Sequence, residues 1–181
     1  MPREKSANGL DKQIQTALGA FFRDLPSPWF GKERDAVSRF VFGHLINECR
    51  RGSPLHSPSQ VGIEIPVGRP AGLNRDKKGS WKDVVIWPRP GMTAFDENLQ
   101  HTYVPAAVIE WKVLLKRGRG SRRIQQEIER DHEWLAAFTA QNPKSFGYSV
   151  LLKMLDEISL EVLRFSHGRS ALVSIGPTTQ H

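Results

Sequence analysis

The hydrophobic positions of this 181-residue chain first recur at helical spacing, then alternate, then close into short apolar runs. Between Gly9 and Leu25, the residues Leu10, Ile14, Ala17, Leu18, Phe21 and Phe22 predict a helix that Pro26 and Pro28 stop. A second helix is predicted from about Lys32 to Arg51, with Val37, Phe40, Val41, His44 and Leu45 on its apolar face. Gly52, Pro54 and Pro58 end it. From Gln60 to Val67 the period becomes two, with Val61, Ile63, Ile65 and Val67 on one side and Gly62 and Glu64 on the other, which predicts a strand. A second strand spans Trp81 to Trp87, closed by Pro88 and Pro90, and a long loop runs to about residue 103. The apolar, β-branched stretch Val104–Leu115 predicts a central strand buried on both faces. A basic turn leads to a helix at 121–140 with Ile124, Ile128, Leu135 and Phe138 as its buried stripe. Residues 146–152 predict another strand, and 157–165 fit strand or helix. The order is that of an α/β protein with a mixed central β-sheet flanked by helices. One domain over 1–181 is expected, with its core at about 32–152, an extra N-terminal helix at 9–25 and a loose tail from about 176.

Two charges interrupt the central strand. Alternation puts Ala106, Val108, Glu110, Lys112 and Leu114 on one face and Ala107, Ile109, Trp111, Val113 and Leu115 on the other. A carboxylate and an ammonium on one face of a buried strand are costly unless something uses them. A structural ion pair is one explanation. The other begins from Asp83, which lies on the second strand and reaches Glu110 and Lys112 if the two strands are neighbours. Two carboxylates and an amine at a sheet edge suit a hard divalent cation and an attacking water.

Composition narrows the partner more than the chemistry. The net charge is +7, with 26 basic against 19 acidic side chains, which favours a polyanion. The lone Cys49 forms no internal disulfide and no cysteine metal cluster. No apolar run reaches membrane-spanning length and the first residues lack a signal-peptide core, so no membrane partner and a cytoplasmic location are expected.

At Lys82-Asp83 followed by Glu110-Trp111-Lys112, the chain resembles the PD-(D/E)XK nuclease superfamily with its restriction-endonuclease-like fold. Lys82 stands where that family usually has proline. Glu33, near the start of the second predicted helix, matches the glutamate the family often carries before its first strand. The resemblance covers roughly residues 32–152. It implies that Asp83, Glu110, the backbone carbonyl of Trp111 and Glu33 hold Mg²⁺ (Mn²⁺ as a substitute), and that Lys112 orients water or stabilises charge on the phosphate. The implied activity is a metal-dependent nuclease acting on DNA, endonucleolytic cleavage being favoured. The alternative is an inactive nucleic-acid-binding or assembly subunit of the same fold, and a homodimer stays open.

Downstream of the motif, Lys116, Arg117, Arg119, Arg122 and Arg123 form an acid-free basic run with Gly118, Gly120 and a helix-capping Ser121. With Lys82, and with Arg69, Arg75, Lys77 and Lys78, it is expected to track phosphates. Other chemistries fail on spacing. Ala136 stands where a zincin helix beginning at His132-Glu133 needs its second histidine, and no phosphate-binding glycine loop or nucleophile elbow occurs. His44, Trp29, Trp81, Trp87, Trp111 and Trp134 fall mostly in core patterns and predict packing.

Overall fold

Strands β1 (Val61–Val67), β2 (Ser80–Ile86), β3 (Ala107–Leu115), β4 (Phe146–Met154), β5 (Ile158–Ser166) and β6 (Arg169–Val173) lie in one sheet in sequence order. The computed structural model describes residues 4–25, 31–73, 80–96, 98, 103–115, 121–155 and 157–175, without the side chains of 4–8 and 121. Neighbours pair antiparallel except β3 and β4, which run parallel. A parallel pair needs a crossover, and helix α3 (Ser121–Gln141) supplies it. The sheet is therefore mixed, and helices flank it.

Its two faces bury different partners. Helices α1 (Glu4–Arg23) and α2 (Glu33–Phe40) cover one face. There Leu10, Ile14, Leu18 and Phe21 of α1 and Val37 and Phe40 of α2 meet Val84, Ile109 and Trp111. The indole of Trp111 lies edge-on to Phe21, with centroids 5.1 Å apart, and 5.2 Å from Phe40. The other face takes α3, whose Trp134, Leu135 and Phe138 pack on Val85, Val108 and Phe165. The expected alternation along β3 holds from Ala107 to Trp111, which are buried on both sides, whereas Lys112 to Leu114 are half-buried and Leu115 is exposed.

Two local expectations change and an open one is decided. The second predicted helix does not run regularly to residue 51: α2 passes into a π turn at Val41–Leu45 and a 3₁₀ turn at Ile46–Glu48. The stretch at 157–165 is a strand, and β6 follows it through a tight turn at His167 and Gly168, both with positive φ, as a two-residue hairpin requires. Most consequentially, β1 does not keep one face. Val61 and Ile63 pack on the α1/α2 side, whereas Ile65 and Val67 pack on the α3 side. Glu64 between them has φ +52°, a left-handed conformation that turns the strand over. Opposite, β2 turns with it: Val84 pairs with Ile63, and Lys82 pairs with Ile65.

Candidate metal and phosphate site

The reversal at Glu64 and Asp83 prepares the site. Strands β2 and β3 share ladder pairs at Val84–Ile109, Val85–Val108 and Ile86–Ala107, and then splay. Side chains bridge the opening instead of backbone. The Trp111 N–H donates to Asp83 Oδ2 at 2.7 Å, and the Asp83 N–H reaches Glu110 Oε2 at 3.4 Å. Asp83 therefore sits beside Glu110 as the sequence predicts, held by strand geometry rather than by a loop.

Two ammonium groups enter this carboxylate cluster from different sides. Lys112 Nζ donates to the Trp111 carbonyl at 2.8 Å and stands 3.5 Å from Glu33 Oε2 and 3.4 Å from Asp131 Oδ2. Glu33 comes from the first turn of α2 and Asp131 from the middle of α3, so Lys112 joins the helices of both faces across the end of the sheet. The second ammonium is Lys82. It forms an ion pair with Glu110 Oε1, and its Nζ lies 3.8 Å from the ring centroid of Trp134.

Lys82 is a correction. It was expected on the basic rim, but it is only 2% exposed and faces α3 because β2 has turned over. A buried ammonium paired to a buried carboxylate contacts no phosphate backbone. The partner of Glu110 is consequently Lys82 and not Lys112, which the shared strand face suggested.

Electrostatics follow from crowding. Glu33, Asp83, Glu110 and Asp131 are four carboxylates against the two ammonium groups of Lys82 and Lys112. Burial pushes the Glu33 carboxyl up to about 7; the Lys112 ammonium opposes this, and Asp83 adds to it. Burial also raises Asp83, against the Trp111 N–H and Lys112. Glu110 is raised by burial despite its Lys82 partner. Burial works to lower Lys112, but Asp131, Glu33 and Asp83 outweigh it and hold its ammonium firmly protonated. Among the described residues, the cluster holds more carboxyl groups than ammonium groups.

Comparison of the chain with protein-family models, with curated proteins and with solved structures finds no match.

Glu33, Asp83, Glu110, Lys112 and the Trp111 carbonyl are brought together, and all were anticipated. Asp131 was not. It carried a signal, since it falls three residues after Ile128 and four before Leu135, on the apolar stripe of its helix. Its Oδ2 is buried without a hydrogen bond among the described residues, 3.4 Å from the Lys112 ammonium. Among the described residues no three carboxylate, imidazole or thiol groups stand together ready to hold a metal ion, and the Lys112 ammonium occupies the space between Glu33 and Asp131.

Arg122 and Arg123 are exposed on the first turn of α3, Arg123 pairing with Glu127 at 2.9 Å. Lys116, Arg117, Arg119, Arg75, Lys77, Lys78 and Trp29 lie outside the described residues, as does the Ser121 side chain. Trp87, Trp111 and Trp134 are buried as predicted, whereas Trp81, two residues before Asp83, is 70% exposed. Glu64 faces solvent and pairs with Arg34 at 2.7 Å. No described helix is long and apolar enough to cross a membrane.

Proposed function

We propose that this protein is a divalent-metal-dependent nuclease of restriction-endonuclease-like fold that hydrolyses phosphodiester bonds, with DNA as its substrate. One observation carries the reading: Asp83 and Glu110 meet across the splayed strands with Lys112 beside them, in a cluster whose carboxylates outnumber its ammonium groups. A chain of net charge +7 that nevertheless collects carboxylates at one sheet end concentrates negative charge where a cation would be drawn. The order α2, β1, β2, β3, α3, β4, with Asp83 and Glu110 on neighbouring strands, supports this reading of the fold.

The donor chemistry suits Mg²⁺ or Mn²⁺, and binding would draw the carboxylates closer than they now stand and displace Lys112 from between Glu33 and Asp131. Every candidate ligand is a hard oxygen, and the raised Glu33, Asp83 and Glu110 carboxyls are those that an added divalent charge would relieve. Asp83, Glu110, Glu33, Asp131 and the Trp111 carbonyl would hold the ion. A bound ion there supplies Lewis-acid charge to a phosphate oxygen and a water of lowered pKa. Lys112 does the rest of the positioning. Its three donors, now shared among Glu33, Asp131 and the Trp111 carbonyl, turn toward a non-bridging phosphate oxygen and the attacking water, where negative charge grows. Arg122 and Arg123 contribute affinity for the phosphate backbone without selecting bases.

The buried Lys82–Glu110 ion pair favours one rival, a nucleic-acid-binding or assembly subunit that keeps this fold and does not cut. Incubating plasmid and linear DNA with Mg²⁺, Mn²⁺ or EDTA separates the two. We expect metal-dependent cleavage that EDTA and Asp83→Asn abolish. Lys112→Met should keep DNA binding and lose ~100-fold or more in single-turnover rate, as for one lost transition-state donor. Salt-sensitive binding without cleavage under every metal establishes the rival. Absence of both removes nucleic acid from the function.

A further inference from the structure

The two lysines of the cluster are not equivalent, and the difference bears on how many cations the site accepts. Lys112 is held at ion-pair distances of 3.4 and 3.5 Å by the buried Oδ2 of Asp131 and by Glu33, whose carboxyl retains contact with water. It can exchange one partner for another. Lys82 has no such freedom. Its side chain and that of Glu110 are almost wholly buried, and the ammonium is closed in by the carboxylate on one side and the Trp134 indole on the other. Trp134 is itself fixed, stacked on Phe138 with centroids 5.0 Å apart and planes 13° from parallel. A cation held by a carboxylate and an aromatic face in a dry place has nowhere more favourable to go.

The geometry points to Lys82 as a permanent internal cation that takes the place of a second metal ion, so that the site binds a single divalent ion. This inference rests on the reading of the cluster as a metal site. Glu110 offers its two oxygens to different partners: Oε1 is committed to Lys82, while Oε2 faces the Asp83 amide at a long 3.4 Å and has capacity to spare. Glu110 therefore joins a metal through one oxygen only. Charge leads to the same count. Among the described residues, with Lys82 matched to Glu110, the carboxyls of Glu33, Asp83 and Asp131 remain against one Lys112 ammonium, an excess of at most two negative charges that one divalent ion meets. A second would overcharge a partly buried site. The face reversal at Glu64 and Asp83 is what makes this possible, because a regular β2 would send position 82 to the α1/α2 side with Val84, away from Glu110 and Trp134.

Titration calorimetry with Mn²⁺, read together with the electron spin resonance of the bound ion, tests this without reference to cleavage. The wild-type protein should bind one Mn²⁺ per chain, with no spin–spin coupling. Lys82→Met keeps the apolar stem and frees Glu110, so Mn²⁺ should bind on the order of tenfold tighter or a second ion should enter. Two coupled ions in the wild type, or unchanged affinity and stoichiometry in a folded Lys82→Met, overturn the inference and leave the nuclease reading intact. Should Lys82→Met fail to fold, the wild-type stoichiometry decides alone. A wild-type protein that binds no Mn²⁺ overturns both.

Discussion

A carboxylate on the apolar stripe of a helix is costly to bury, and Asp131 is one. Its spacing from Ile128 and Leu135 made it visible in the sequence, but only as an anomaly; that it meets Lys112 depends on how α3 crosses the sheet. Lys82 was not legible at all. Its basic character put it on the rim, whereas β1 turns over at the left-handed Glu64, a conformation that glutamate seldom adopts, and β2 turns with it. Asp83, Glu110 and Glu33 were legible because strand spacing and a helix start are local properties. At this scale the sharpest expectation concerns pH. Glu33 binds its proton more tightly folded, near 7, than unfolded, near 4.5, so between these values the native state carries the extra proton. Stability from this group is present below about pH 4.5 and is lost as pH rises toward 7. His44 and His132, lowered by burial, act in the opposite direction as pH falls, so the wild type alone does not isolate the effect. The difference in melting temperature between Glu33→Gln and the metal-free wild type should widen in favour of the variant from pH 5 to pH 8. Mn²⁺ should shrink that gap by restoring the wild type. A gap independent of pH would mean that Glu33 is too solvated to feel the cluster.

Among the elements, α1 was read from its stripe of Leu10, Ile14, Leu18 and Phe21, yet what fastens its polar side was not readable. Asp11 Oδ1 accepts hydrogen bonds from the Tyr148 hydroxyl of β4, from Arg164 Nε of β5 at 2.9 Å and from Gln15 at 3.0 Å. The Arg164 guanidinium also lies 4.6 Å from the Phe146 ring centroid. A helix ahead of the expected core is thus tied to strands more than a hundred residues later, and no local pattern encodes such a distance. A second polar tie is Gln13, whose amide binds the Glu48 and Leu55 carbonyls and accepts from the Leu55 N–H. Asp11→Ala leaves a phenol and a guanidinium facing each other without an acceptor, and should cost ~3 kcal/mol in urea unfolding. Tyr148→Phe on the same chain should cost less, ~1 kcal/mol, because the Asp11–Arg164 pair survives it. Equal costs would show that Tyr148, not Arg164, is the main anchor. The edge strand β6 escaped notice for a different reason: Arg169, Ser170, Ala171 and Leu172 are exposed, so burial imposed no alternation on them.

Across the whole molecule, the sheet consists of two ribbons, β1–β2 and β3–β6, joined by the short ladder from Val84–Ile109 to Ile86–Ala107. Beyond that ladder the ribbons are spanned by Asp83 from one side and Glu110 and Trp111 from the other. By contrast, β3 and β4 pair along their full length, from Ala107–Phe146 to Leu115–Met154. Native proteins open in cooperative pieces, and a piece attached by few rungs opens at lower cost than the whole. Hydrogen–deuterium exchange should therefore find the amides of β1 and β2 released together through a partial opening, before those of β3 and β4. Mn²⁺ should bring the two sets closer, since an ion held by Asp83 and Glu110 rivets one ribbon to the other. Simultaneous release of all four strands, with or without Mn²⁺, would refute this. The splayed strands that expose the carboxylates are in that sense also the line along which the molecule comes apart, so that what binds there reports on, and governs, how often it does.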